Sequence, residues 1–184
     1  GLSPADLPAR QLQLVSASRR HLKYFSVSAD TGHLYVNERL DREAMCGNSA
    51  SCSVRFEAMV QNPLNVFQVD VDIQDINDNS PAFSESILDL EIGELILPGA
   101  RFPLEMAQDP DVGSNSLLSY QLTENPSFRL EAKETPSGKK QPELVLERAL
   151  DREKQSSIQI VLTAVDGGSP ARSGTVQIRI NVTD

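Results

Sequence analysis

Between positions 75 and 79 the chain reads Asp75-Ile76-Asn77-Asp78-Asn79, and four of these five side chains are hard oxygen donors. Carboxylates and amides at this density suit a cation that takes roughly six to eight oxygens, and calcium is such a cation. A polar Asx turn is the plainer reading of a short Asp/Asn string. A second string, Asp109-Pro110-Asp111-Val112-Gly113-Ser114-Asn115, sets two carboxylates at alternate positions, where both can approach one centre. Gly113 permits the tight return of the chain there. The string opens like a helix–loop–helix calcium loop, but the position of the closing Glu holds Tyr120, so a single site of that type is not expected.

Other chemistry finds little support. His21 and His33 stand in no metal-ligand pair spacing and read as surface strand residues. The chain has no Gly-x-Ser-x-Gly elbow and no phosphate loop. An enzyme is therefore not expected, nor a small-molecule substrate. The net charge of −9 argues against nucleic acid.

The elements that must position the oxygens are strands. Phe67, Val69, Val71 and Ile73 alternate with polar residues, as do Val54, Phe56, Ala58 and Val60 with Arg55, Glu57 and Met59. Ile158, Ile160, Leu162 and Ala164 form another such face, and Val176, Ile178, Ile180 and Val182 a fourth. Period two with one apolar face predicts half-buried antiparallel strands. No long amphipathic helix is visible. Ser3-Pro4-Ala5-Asp6-Leu7 predicts one helical turn, with Ser3 as cap and Pro4 in the first turn. Trp is absent, so the cores must rest on Val, Ile and Leu.

The sequence repeats itself. Leu40-Asp41-Arg42-Glu43 recurs 110 residues later as Leu150-Asp151-Arg152-Glu153. A strand-like stretch precedes each copy, Leu34-Tyr35-Val36 and Leu144-Val145-Leu146. Asp75 and Asp184, 109 residues apart, each close an alternating strand. Two signals at nearly one offset imply tandem domains of about 110 residues, the size of a seven-strand β-sandwich. The boundary is expected near Pro81, giving domains 1–80, with a linker at 75–80, and 81–184. No apolar run approaches the roughly 18–20 residues that span a bilayer. No signal peptide is visible, so the chain reads as a soluble piece of a longer protein.

Asp41-Arg42-Glu43, Asp75 to Asn79, Asp109 with Asp111, and Ala164-Val165-Asp166 together resemble, in order and spacing, the calcium motifs of cadherin repeats. Three further features resemble the clustered protocadherins. They are Cys46 and Cys52 just after the first Asp-Arg-Glu, the string from Asp109 to Leu117, and Asp166-Gly167-Gly168-Ser169-Pro170. The resemblance implies an all-β fold, two tandem Greek-key β-sandwiches of immunoglobulin-like kind. It implies three calcium ions at the junction of the repeats. Asp41 and Glu43 would serve them from the first repeat. Asp75, Asn77 and Asp78 would give side chains, with Ile76 and Asn79 giving carbonyls. Asp109, Asp111, Asp166 and the Asn115 carbonyl would receive from the second. Seven carboxylates then account for most of the net charge of −9. Glu94, Asp151, Glu153 and Asp184 would form half of a further cluster. The opening Gly1-Leu2-Ser3-Pro4 resembles the segment just after a repeat's first strand, so the first repeat is expected to lack that strand and its Glu.

The extracellular setting that this resemblance implies favours a disulfide between Cys46 and Cys52, whose small, flexible intervening residues let the loop close easily, whereas in an intracellular chain they would read as two unrelated thiols. Asn181-Val182-Thr183 is a glycosylation sequon. The implied function is calcium-dependent homophilic adhesion between cells at the outer face of the membrane. Antiparallel molecules would pair first repeat with fourth and second with third, without strand exchange through a Trp. The rival reading is a calcium-stiffened spacer whose partner sites lie elsewhere.

Overall fold

The computed structural model describes residues 2–16 and 18–184, apart from the side chain of Leu118. Gly1, where the likeness to a truncated repeat begins, lies outside the described residues. Residue contacts divide the chain into two units, Gly1–Asp75 and Ile76–Asp184.

Unit 1 opens with a 3₁₀ turn, Pro4–Asp6, that runs into helix α1 (Leu7–Arg10). Ser3 is the cap, and its N–H and Oγ both donate to Asp6 Oδ2, at 3.2 and 2.8 Å. The expected turn is present and is longer than one turn. Strand β1 (Gln13–Val15) follows, then helix α2 (Arg19–Leu22) and strands β2 (Phe25–Val27) and β3 (Leu34–Val36). Helix α3 (Arg42–Cys46) precedes the long hairpin of β4 (Ser53–Val60) and β5 (Asn65–Asp72). One antiparallel sheet has the order β1-β4-β5, and β2 pairs with β3 in a second.

The core of unit 1 is small. Phe25, Val54 and Phe56 are buried, with Leu14, Leu22, Tyr24, Leu40, Met45, Val69, Val71 and Ile73 packed around them. The rings of Phe25 and Phe56 lie 5.2 Å apart. The expected face of β4 is turned inward: Val54, Phe56 and Val60 are buried. The expected face of β5 is only partly so. Phe67 is 44% exposed, because it stands on an edge strand opposite small Ala58 and outside the core cluster. The histidines are not strand residues. His21 lies on α2, and His33 is exposed in the turn before β3, where Nδ1 meets Thr31 Oγ1 at 2.8 Å.

Unit 2 has seven strands in two sheets. They are β6 (Ile87–Gly93), β7 (Arg101–Pro103), β8 (Leu117–Leu122), β9 (Phe128–Glu134), β10 (Lys140–Leu146), β11 (Ser157–Asp166) and β12 (Ser173–Thr183). One sheet has the order β7-β10-β9 and the other β6-β12-β11-β8, with β6 parallel to β12 and the other pairs antiparallel. Ile158, Ile160, Leu162, Val176, Ile178, Ile180 and Val182 fill the space between, against Ile92, Phe128, Leu144 and Leu146. Each fully buried side chain of this kind contributes about 1.5–3 kcal/mol by leaving water. The two long strands whose alternation was plainest carry most of this core.

Two features of unit 2 frame the polar segments. The register of β11 against β8 shifts between Val165 and Asp166, a bulge that re-aims the last side chain of the strand. Near the start of β12, Gly174 lies so close to the chain entering the unit that a Cβ would stand 1.9 Å from Pro81 O. Only a residue without a side chain fits. Gly174→Ala is therefore expected to lower the stability of unit 2 by about 1–3 kcal/mol, the usual cost of overpacking. Thermal unfolding would show it, and an unchanged melting point would mean that the Pro81 backbone gives way freely.

Candidate metal centre

In unit 2 the polar segments converge. Asp166, at the bulge that ends β11, is almost wholly buried, with 1% of its surface exposed. Its Oδ1 accepts from the backbone N–H of Arg172 at 2.8 Å and of Gly168 at 3.1 Å. Burial alone would raise its pKa. The two backbone donors, the amide of Asn77 and the Arg172 charge outweigh that and hold the carboxyl below its ordinary value. Its Oδ2 is buried without a hydrogen-bond partner among the described residues.

The segment 76–79 is held on this frame by its side chains. Asn77 Nδ2 donates to Pro170 O at 2.9 Å. Asn77 Oδ1 is buried, again without a hydrogen-bond partner among the described residues. Gly168 makes room for Asn77, since a Cβ there would stand 1.9 Å from Nδ2 and 2.9 Å from the Asn77 Cβ. The exposed Arg172 donates from Nη1 to Asp78 O at 3.2 Å. Asn79 binds Asp111 twice, its N–H to Oδ2 at 3.1 Å and its Nδ2 to Oδ1 at 2.6 Å. Asp111 is itself buried, and its N–H donates to Asp109 Oδ1 at 3.2 Å. The Ile76 carbonyl accepts from Asp78 N–H at 2.7 Å.

The loop carrying Asp109 and Asp111 is closed by Tyr120, whose phenol oxygen accepts from Ala107 N–H at 3.0 Å. Burial pushes the Tyr120 pKa up, Glu105 adds to this, and the Ala107 bond works against it. Asn115 ends a 3₁₀ turn, Gly113–Asn115, inside the same loop.

Unit 1 gathers a second set. Asp41 caps α3, its Oδ1 accepting from Ala44 N–H at 2.8 Å, so the Asp-Arg-Glu motif is the start of a helix. Glu43 lies in the first turn. Between them Arg42 is buried, and its Nη1 stands 3.7 Å from Asp75 Oδ1 and 4.0 Å from Glu43 Oε1. The helix ends at Cys46, which is disulfide-bonded to Cys52. The pairing expected from the extracellular reading is thus present.

The third set belongs to unit 2 as well. Glu94 N–H donates to Thr183 O at 2.8 Å, and Glu94 Oε2 accepts from Arg152 N–H at 2.9 Å. Arg152 Nη1 reaches Asp184 at 2.9 and 3.0 Å. Asp151 pairs with Lys154 Nζ at 3.0 Å, and that cation holds its carboxyl below the ordinary value. Glu94 and Asp184 are thus both tied to Arg152, the centre of the second Asp-Arg-Glu. Glu153 joins through its backbone N–H, which donates to Asp151 Oδ1 at 3.1 Å. Asn181 is exposed on β12, beside Ser157 in the register.

Two family descriptions match the chain, "Cadherin-like" over residues 1–62 and "Cadherin domain" over residues 90–183. The chain belongs to the cadherin family. It is 52% identical over its whole length to human protocadherin gamma-C3 and 52% identical to human protocadherin gamma-B2. It spans only about a fifth of those proteins, 20% and 19%. Among solved structures it is similar to mouse clustered PcdhgC3 EC1-3, with a TM-score of 0.93, 54% identity, all of this chain covered and 58% of that one. Protocadherin gamma C5 EC1-3 gives a TM-score of 0.95 at 48% identity, again with all of this chain and 58% of that one covered. These structural neighbours are cadherin β-sandwiches, which agrees with the fold class read from the sequence. The matches point to no enzyme family. Another similar structure is that of protocadherin gamma B2 extracellular cadherin domains 1-5, with a TM-score of 0.85 and 51% identity, all of this chain and 34% of that one covered. Among the described residues no helix is long and apolar enough to cross a membrane.

Cadherin domains bind calcium, and the unit 2 set suits that ion. Asn77 Oδ1 and Asp166 Oδ2 are hard oxygens, buried and without hydrogen-bond partners among the described residues, an expensive state unless a cation meets them. The residues that orient the donors were not legible beforehand. Arg42 and Arg152 lie inside the repeated motif, but as cations they are not metal ligands, and the motif alone does not show that they turn toward Asp75 and Asp184. Gly168 and Arg172 carry no signal beyond their place near Asp166. Gly168→Ala is expected to push Asn77 off Pro170 O and to cost about 1–3 kcal/mol of unit 2 stability. Thermal unfolding of the variant would check this; a wild-type melting point would show that Asn77 is not held in place by Gly168.

Proposed function

We propose that this chain is two cadherin repeats, 1–80 with a linker at 75–80 and 81–184, from the extracellular part of a single-pass adhesion protein, and that the linker residues carry calcium. Asp41, Glu43 and Asp75 would supply carboxylates from the first repeat. Asn77, Asp78, Asp109, Asp111 and Asp166 would supply side-chain oxygens, with the carbonyls of Ile76, Asn79 and Asn115. Glu94, Asp151, Glu153 and Asp184 would be half of a second cluster. The observation that carries this reading is the pair of buried oxygens, Asn77 Oδ1 and Asp166 Oδ2, in a chain of this family. Calcium neutralises the clustered carboxylates, which otherwise repel. It thereby orders the linker and favours a joint of fixed geometry. The protein is not an enzyme on this reading, and Asn181 is an acceptor position for glycosylation.

Function then follows from the stiffened repeats, which present side-chain surfaces to the same protein on a facing cell. The pairing is antiparallel and homophilic, first repeat to fourth and second to third, and it makes adhesion calcium-dependent. Residues 1–184 alone carry the surfaces of two repeats and are expected to be mostly monomeric by sedimentation equilibrium. A four-repeat version is expected to dimerise. A four-repeat version that stays monomeric in calcium would favour the spacer reading.

Calcium is expected to raise the melting temperature of the chain. A tenfold excess of ion over its dissociation constant adds about 1.4 kcal/mol for one site. Modules of this kind bind at roughly 10⁻⁴–10⁻³ M, so millimolar calcium suffices. Asp78→Ala is expected to reduce the shift. Identical melting curves in millimolar calcium and in chelator would sink the reading.

A further inference from the structure

Arg42 is a charged side chain shut away from solvent. It is 5% exposed, and the other buried polar or charged side chains among the described residues are two carboxylates, Asp111 and Asp166. A buried guanidinium persists only where it is paired and hydrogen-bonded. Nη2 supplies the hydrogen bond, donating to Ser49 O at 2.6 Å. Nη1 has no hydrogen-bond partner among the described residues and faces Asp75 and Glu43 at 3.7 and 4.0 Å. Its charge is thus directed at two carboxylates of the proposed calcium set.

The acceptor of the other nitrogen, Ser49, lies inside the loop closed by Cys46 and Cys52. That loop is tied to both ligand-bearing segments. Cys46 ends α3, whose first residues are Arg42 and Glu43. Cys52 O accepts from Ile73 N–H at 2.8 Å, two residues before Asp75. The disulfide loop therefore sits over the arginine and joins the helix to the strand end.

The internal repeat gives a comparison. Arg152 occupies the matching place in unit 2 and also reaches the closing aspartate, Asp184. No cysteine loop follows it, and its side chain is 44% exposed. The same motif thus yields a solvated pair in one unit and a buried one in the other, and the covered arginine is the one under the disulfide loop.

We propose that Arg42 is an internal counter-ion for the unit 1 carboxylates, a positioning residue that gathers Asp75 and Glu43 in the absence of calcium, lowers their affinity for the ion, and is held there by the Cys46–Cys52 loop. This rests on the calcium reading above. In the metal-free protein the guanidinium offsets the mutual repulsion of the carboxylates. When a divalent ion enters, the same fixed positive charge repels it. The arginine therefore supports the fold without metal and weakens metal binding. A side chain that merely packed would do otherwise, because its loss would lower stability and affinity together.

The test uses the complete two-unit chain with its disulfide intact, read by calcium titration calorimetry and by thermal unfolding in chelator. Arg42→Met keeps the apolar stem and removes the charge. It is expected to lower the melting temperature in chelator and to raise calcium affinity roughly threefold to tenfold, as one unit charge near a divalent ion should in a largely aqueous dielectric. Arg42→Lys keeps the charge and loses the fork, so affinity should stay within about twofold of wild type while the melting temperature in chelator falls. Should Arg42→Met fail to fold, Arg42→Gln retains a donor for Ser49 O and carries the same test. In a Cys46→Ser, Cys52→Ser background the affinity gain from Arg42→Met should shrink to less than about twofold, because the uncovered guanidinium is screened by solvent. An affinity that is unchanged or lowered in both neutral variants overturns the counter-ion role. A gain undiminished without the cysteines overturns the part given to the loop. A wild-type chain that binds no calcium brings down the calcium reading itself, and the wild-type titration alone reveals that case.

Discussion

Two carboxylates held 4 Å apart repel by about 4 kcal/mol at the effective dielectric of a protein surface. A small domain has only about 5–15 kcal/mol of stability to set against such terms. The arrangement of the acidic segments follows from this constraint. Several of these carboxylates are met by a backbone N–H, Asp111 by Asn79, Asp109 by Asp111, Asp166 by Gly168 and Arg172, Asp41 by Ala44, Glu94 by Arg152, and others by an arginine, Asp75 and Glu43 by Arg42 and Asp184 by Arg152. Such backbone donors exist only where the chain turns. The turns in question lie at the ends of long strands or at the start of a short helix. The apolar faces of β11 and β12 therefore serve the acidic residues indirectly, by fixing where the strands stop.

The two units meet the constraint from unequal resources. Among the described residues, unit 2 has a core of thirteen buried side chains between two sheets. Unit 1 has three in its main cluster. A core that small leaves little surplus for holding charge, and small extracellular domains commonly add a cross-link. The Cys46–Cys52 bridge closes a short loop, for which the chain-entropy model gives about 2 kcal/mol. Its position matters as much as its energy. It joins the end of α3 to the start of β4, so the helix bearing Asp41 and Glu43 cannot drift from the hairpin that ends near Asp75.

Much of this was legible in the residues. Period-two alternation marked β4, β11 and β12, because their inward side chains are uniformly apolar and most of their outward ones polar. It failed at Phe67, where an edge strand leaves an apolar residue uncovered, a fact about neighbours and not about the strand itself. Helix α3 was missed because five residues are too few to show a 3.6-residue period. Its cap was visible all along as Asp41, but an aspartate in a ligand motif attracts a metal reading before a capping one. The disulfide was reached only through the compartment. The need for glycine at 168 and 174 was not legible, since it arises from segments about ninety residues earlier in the chain that pass within contact of each position.

The repeated Leu-Asp-Arg-Glu motif shows how one short sequence is put to different use by its surroundings. In both copies the arginine turns toward the aspartate that closes its own unit, Arg42 toward Asp75 and Arg152 toward Asp184. The local geometry is therefore set by the motif and by the strand end beside it. Burial is not. The residues that follow decide it, a cysteine-closed loop in one case and the exposed turn Arg152–Lys154 in the other. In water an ion pair is worth little, and its partners exchange readily with solvent. Under cover, the same pair becomes a fixed charge that its neighbours cannot ignore. The difference between the copies thus lies less in which charges are present than in how far water is kept from them.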